Sequence, residues 1–359
     1  PGKGAAANSP VEVTVGCNLE LTGDVGSWGQ DSRKGIELAA EEINADPKAG
    51  VKITLKFQDN NSDVAKSKDA IKKLILQDNA QVVIGCVGSN YTMAAMDVAR
   101  DERVPMVTHA STNVTITKKG GEYVFRICFH DDFQGEVMAK FALAELKAKT
   151  AVLLVQKGNA YSEGLIASFK KAFTDGGGQV LAEEAYQRGD TDYQTMITKV
   201  NSANPDVIWL PGYFNEVALI IKQARAAGLQ KPFLGGDGWD DPKLYELGGP
   251  SIKGNYLCNH FDSNDTTPKV KEFVEKYTKK YDVAPGAMAA LGYDALYCVA
   301  DAVRRAGKAD PKAIRDALAT LKNVETVCGT VTMGPDREVS KPAVVQRTGE
   351  KAHEFYKRQ

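Results

Sequence analysis

Three short segments pair glycine with hydroxyl groups in a way suited to holding a small polar molecule. They are Leu21-Thr22-Gly23-Asp24-Val25-Gly26-Ser27-Trp28-Gly29-Gln30, Gly85-Cys86-Val87-Gly88-Ser89-Asn90-Tyr91-Thr92 and Thr108-His109-Ala110-Ser111-Thr112-Asn113. Each follows an apolar run, and the second leads into a helical pattern. Small residues let a ligand approach the backbone, and free amides at the positive end of a helix favour an anion. The same serines and threonines also suit plain helix caps, so Ser89 and Thr112 carry both readings. Signatures of covalent chemistry are missing. There is no GxxxxGKS or GxxxxGKT phosphate loop, no GxSxG elbow and no HExxH. Gly235, Gly236 and Gly238 do not complete a dinucleotide fingerprint. The four histidines, His109, His130, His260 and His353, are far apart, and the six cysteines form no CxxC pair. A zinc or redox centre therefore has no support, and neither an enzyme nor a cofactor is expected.

The elements that position these segments alternate between short β runs and longer stretches at helical spacing. Strands are predicted at 11–19, 51–57, 81–85 and 105–108, with helices at 30–45 and 92–100 and, between them, a helix capped by Ser62 whose apolar face includes Ala65, Ala70, Ile71, Leu74 and Ile75. The order then returns at an offset of 125–140 residues: strands at 151–155, 179–186, 207–210 and 233–235, helices at 161–173, 193–202 and 215–227. Gly176 to Gly178 and Gly228 supply left-handed residues that stop helices. Such alternation calls for parallel sheets covered on both faces. After Asp240 the rhythm changes to helices at 268–281, 285–305 and 311–321, then late strands at 327–333 and 343–346. Helices without intervening strands suggest a return to complete the first lobe before a last crossing to the second.

The bounds agree with two lobes, because 359 residues exceed what a single hydrophobic core commonly serves. With 45 basic and 46 acidic residues, a net charge of −1 gives no electrostatic case for nucleic acid or an anionic membrane. No apolar run approaches the roughly 20 residues of a membrane span. Residues 1–10 are small and polar, and read as a disordered N-terminus, either an expression scar or the end of a processed protein.

The ordered set Leu21-Thr22-Gly23…Trp28-Gly29, Gly35-Ile36-Glu37-Leu38-Ala39, Asp59-Asn60, Ile84-Gly85…Ser89, Pro105…Ala110-Ser111-Thr112-Asn113, Tyr161-Ser162-Glu163-Gly164, Ala224-Arg225-Ala226-Ala227-Gly228-Leu229 and Tyr293-Asp294-Ala295 resembles the periplasmic binding proteins of the leucine/isoleucine/valine type, from Val11 onward. The resemblance implies an α/β fold of two doubly wound parallel-sheet lobes joined by a three-crossing hinge. It implies lobe one at 11–128 and 262–328 and lobe two at 129–261 and 329–359. It further implies an extracytoplasmic substrate-binding protein of an ATP-driven importer, periplasmic or lipid-anchored, monomeric, and partnered by a membrane permease. The ligand would be a small amino acid, most consistent with an aliphatic one. The alternative is a ligand-sensing receptor domain of the same fold.

Carried over residue by residue, Ser89, the Ala110 backbone and Thr112 would hold the ligand carboxylate. Asp237 and Tyr213 would face the ammonium, and Trp28 and Tyr161 would flank the ligand. Against these stand simpler readings: Trp28 as a loop anchor, Asp237 as a turn residue, Phe214 in place of Tyr213, and His109 and His260 as structural histidines. Tyr293 and Asp294 suit helix packing and the hinge. The implied crossings, near 128–131, 258–262 and 328–332, lie beside Cys128, Cys258 and Cys328. A Cys258–Cys328 disulfide is one reading, and buried free thiols are the other.

Overall fold

The computed structural model describes residues 9–359, so the expectation for the N-terminus lies mostly outside the described residues. The expected fold class is the one observed. The first sheet has the order β2-β1-β3-β4-β5 and is wholly parallel. Its strands are β1 (Val11–Leu19), β2 (Val51–Asp59), β3 (Val82–Gly85), β4 (Met106–Thr108) and β5 (Val124–Arg126). Helices α1 (Gly26–Ala45), α2 (Val64–Leu76), α3 (Ser89–Asp101) and α4 (Thr115–Gly120) connect them. All four residues of β3 are buried, as a strand covered on both faces must be.

The chain then enters the second lobe through α5 (Asp131–Ala144). Strands β6 (Thr150–Gln156), β7 (Gln179–Tyr186), β8 (Val207–Trp209), β9 (Phe233–Gly235) and β10 (Tyr256–Asn259) alternate with α6 (Ala160–Asp175), α7 (Gln194–Ala203), α8 (Phe214–Ala226) and α9 (Lys243–Gly248). Helices α10 (Pro268–Tyr281), α11 (Ala287–Ala306) and α12 (Pro311–Leu318) follow, with α11 packed along α1 of the first lobe. A small hairpin, β11 (Val324–Thr326) and β12 (Gly329–Val331), precedes β13 (Val344–Thr348) and β14 (His353–Arg358). These last two join the second sheet, whose order is β14-β13-β10-β9-β8-β6-β7, as an antiparallel edge. The chain therefore passes between the sheets three times.

Several local expectations are corrected. The strand expected at 327–333 is the β11–β12 hairpin, because Gly329 takes φ +117° and folds the run back on itself. Past the expected boundary at 328, Met333 N donates to Leu321 O, Met333 bridges Val339, and Arg126 N donates to Arg337 O. Residues 329–339 are thus held by first-lobe elements. Ser62 does not cap α2; Asp63 does, accepting from Lys66 N at 2.8 Å. Ser62 instead sits at φ +51° and binds Val25 N and Thr22 O through its hydroxyl. Of the helix-stopping glycines, Gly177 and Gly228 have positive φ.

All six cysteines are free and buried, so the Cys258–Cys328 disulfide is overturned. Cys258 packs in the second lobe's core with Trp209 and Val345, while Cys328 packs in another cluster with Cys298 and Cys128. Burial pushes the Cys128 and Cys298 thiols up to about 12, which keeps them protonated and unreactive.

Candidate functional site

The carboxyl ends of the parallel strands from both sheets point their loops at one another, the place where open α/β folds bind ligands. Trp28, Ser89, Ala110, Thr112, Tyr161, Tyr213 and Asp237 all line a single small inter-lobe cavity. Val87 and Gly88, from the same segment as Ser89, complete its wall with Gly238 and Met288, which the sequence did not mark as site residues.

The first-lobe wall is built from hydroxyls and a helix end. Gly88 is the N-cap of α3 and makes no side-chain cap, so Ser89 is the first helical residue and the plain-cap reading does not apply to it. The Ser89 hydroxyl accepts from Asn113 N at 3.3 Å. Thr112 is not a cap either, since the N-cap of α4 is Val114. Its hydroxyl is buried with no protein partner in the structure. A buried hydroxyl without a partner is costly, and one on a cavity wall is available to a ligand.

Beneath this wall lies Glu20, a residue that the sequence reading did not single out. Its carboxylate accepts from Val87 N and Gly88 N, both at 3.1 Å, which holds the loop ahead of Ser89. Burial pushes this carboxyl up to about 7, and the amide bonds offset that only in part. The folded protein thus keeps a proton that the unfolded chain sheds above its ordinary value of 4.5. The contribution favours the fold at low pH and fades as pH rises from 4.5 towards 7. Relative to wild type, Glu20→Gln is expected to gain up to about 3 kcal/mol across that window. Urea denaturation at pH 4.5 and pH 7.5 measures the difference; a pH-independent difference would show that Glu20 stays ionised in the fold.

The second-lobe wall supplies an acid and two phenols. Asp237 follows β9 and is buried, so it is more than a surface turn residue. Its carboxylate accepts from Gln134 Nε2 at 2.9 Å, and His260 Nε2 lies 3.1 Å from its other oxygen. His260 stacks on Phe129 with ring centroids 3.6 Å apart. His260 is therefore structural, but its structural task is to hold the site's acid. Gln134 Oε1 also accepts from Asp237 N at 2.7 Å, which fixes the turn. The Tyr161 hydroxyl accepts from Gly238 N at 2.9 Å, and its ring lies 5.3 Å from that of Tyr213. Phe214 is turned into the core, leaving Tyr213 on the cavity. Trp28 meets Tyr213 edge-on at 4.9 Å and donates to Asp240 O at 3.0 Å, so it is both wall and anchor. His109 is structural, bonded to Ser32 at 2.8 Å, and burial pulls it down to about 3, hence neutral. Asp131, at the start of α5, is buried, and burial raises its pKa well above the ordinary carboxylate range.

The two lobes are drawn together around this cavity. Asn90 Nδ2 donates to Gly158 O at 2.8 Å, while its carbonyl accepts from Ala160 N at 2.9 Å. Asn113 Nδ2 donates to Ala160 O at 2.6 Å, Asn215 Nδ2 to Asp24 O at 2.9 Å, and Arg188 Nε to Asp24 Oδ2 at 2.7 Å. These contacts belong to a closed cleft.

Two like-facing sheets, a three-strand hinge and a small buried cavity between them define a two-lobed solute-binding protein. The chain belongs to the periplasmic binding protein family, whose model matches residues 12–352. It is 32% identical to the Leu/Ile/Val-binding protein homolog 3 of Brucella melitensis, over 95% of this chain and 92% of that one. Among solved structures it resembles the leucine-binding protein LivK of Thermotoga maritima, with a TM-score of 0.92, 34% identity, and coverage of 96% and 98%. It also resembles the branched-chain amino acid transporter substrate-binding protein LivJ of Streptococcus pneumoniae in complex with isoleucine, with a TM-score of 0.90, 31% identity, and coverage of 96% and 99%.

Proposed function

We propose that this protein binds a branched-chain aliphatic amino acid between its lobes and delivers it to a membrane permease of an ATP-driven importer. The observation that carries this reading is the polarity of the cavity. Unpartnered hydroxyl and helix N-terminus stand on one side and a buried carboxylate on the other. A zwitterion is the small ligand whose two charges match both sides at once. Ser89, Ala110 and Thr112 hold its carboxylate, Asp237 faces its ammonium, and Trp28, Tyr161, Tyr213 and Met288 enclose its side chain.

No bond is made or broken. Ligand contacts available only in the closed arrangement shift the lobes towards it. The lobes are drawn as 11–128 with 262–339, and 129–261 with 340–359. The protein acts as an extracytoplasmic monomer, in the periplasm or on a lipid anchor. The reading is tested by calorimetry and thermal shift against the twenty L-amino acids and 4-methylvalerate, which is leucine without its ammonium. Leucine, isoleucine or valine is expected to bind with a Kd of about 1 μM, roughly −8 kcal/mol, and to raise the Tm. Binding of 4-methylvalerate as tight as that of leucine would remove the role of the ammonium.

A further inference from the structure

Helix α11 carries no side-chain cap of its own: Gly286 is its N-cap, and its first turn holds no acidic residue. Helices α2, α6 and α12 are each capped by the Asp or Asn beside them, Asp63, Asn159 and Asp310. The amides of α11 are met from elsewhere. Asp31, from α1 of the same lobe, accepts from Ala289 N at 3.2 Å. Asp240, from the loop after β9 in the other lobe, accepts from Ala287 N at 2.7 Å. A Cβ at residue 286 would lie 2.8 Å from Asp31 Oδ2 and 3.5 Å from Asp240 Oδ2, so glycine makes room for both carboxylates.

Between the two bonded amides stands Met288, which lines the ligand cavity. Three residues before Asp240 stands Asp237, on the opposite wall of the same cavity. The Asp240 carbonyl accepts from Trp28, a third wall residue. One turn of helix and one loop are thus each tied to the ligand on one side and to each other on the other. We propose that Asp240 is a positioning residue for ligand binding, a cap for α11 that is supplied across the cleft only when the lobes close.

The electrostatics fit a contact made in one state. Burial and the neighbouring Asp237 raise the Asp240 carboxyl, and burial pushes Asp31 up to about 6, with Asp240 adding to it. Bringing these acids together is unfavourable except where helix amides receive them. Closure supplies those amides to Asp240, and opening returns its carboxylate to water.

Asp240's role presupposes the amino-acid binding proposed above, and the experiment separates the two. Wild type, Asp240→Ala, Asp240→Asn and Asp310→Ala are compared by L-leucine calorimetry and by Tm with and without L-leucine. Asp240→Ala is expected to weaken L-leucine about tenfold, mainly through faster dissociation, at an unchanged ligand-free Tm. Asp240→Asn keeps an acceptor for Ala287 N and should restore most of the affinity. Asp310→Ala removes a cap that lies within one lobe; it should lower the ligand-free Tm and leave affinity alone. A fall in ligand-free Tm for Asp240→Ala with unchanged affinity would overturn the proposal. If wild type binds no amino acid, the functional reading fails by itself. The cap is then read from the closed fraction, by energy transfer between dyes at Lys72→Cys and Lys222→Cys. A smaller closed fraction in Asp240→Ala upholds the cap, and equal fractions overturn it.

Discussion

Replacing Asp237 with alanine is expected to weaken amino-acid binding by about 100-fold or more. The carboxylate is buried, and Gln134 and His260 hold it in one orientation facing Tyr161 and the cavity. Truncation removes the counter-charge of a dehydrated ammonium and leaves two polar side chains without their acceptor. Losing one partner of a buried charge pair commonly costs about 2–5 kcal/mol, and each 1.4 kcal/mol is about tenfold in Kd. Asp237→Asn separates the charge from the hydrogen bonds, because it preserves an acceptor and the shape. It is expected to lose nearly as much affinity as alanine. Calorimetry with L-leucine decides it: wild-type affinity in either variant would remove Asp237 from the site.

The largest effect on stability is expected at Gly35. Helix α1 crosses α11 there so closely that a Cβ would stand 1.9 Å from Ala289 O and 2.8 Å from its carbon. Backbone cannot swing aside as a side chain can, so Gly35→Ala must separate two helices over their length. Overpacking costs about 1–3 kcal/mol in yielding sites, and this site is less yielding than most. A fall in Tm on the order of 10 °C, or loss of soluble protein, is expected. An unchanged Tm would show that the two helices do not meet at this distance.

Much of the architecture was legible because each strand–helix unit carries its own signal. Strands 11–19, 179–186 and 233–235 were read with the bounds observed, the first and last as apolar runs set off by polar loops and 179–186 by the alternation of an edge strand. The loops at their carboxyl ends then located the cavity wall. What escaped depends on contacts distant in sequence. Glu20 meets amides 67 and 68 residues away, and Gln134 meets Asp237 across 103. One clue to Glu20 was present: an acid closes Val15-Gly16-Cys17-Asn18-Leu19, a run of buried residues that offers no water to a carboxylate. Helix α5 escaped notice because buried residues fall on much of its circumference, which leaves no stripe to read. The boundary at 328 came with the implied crossing near 328–332, and the contacts that hold residues 333–339 to the first lobe join residues distant in sequence.

The route of the chain has a consequence for how the protein is made. Residues 11–126 emerge from the ribosome with the whole first sheet, yet the helix that covers α1 is not synthesised until residues 287–306. The intervening segment holds five strands of the other lobe. Until then the first lobe shows water the flank on which Gly35 lies, and the second lobe still lacks β13 and β14, which are made last of all. Neither lobe is therefore complete before the last crossing, and a chaperone acting on the incomplete chain would find a binding surface on the uncovered flank of α1.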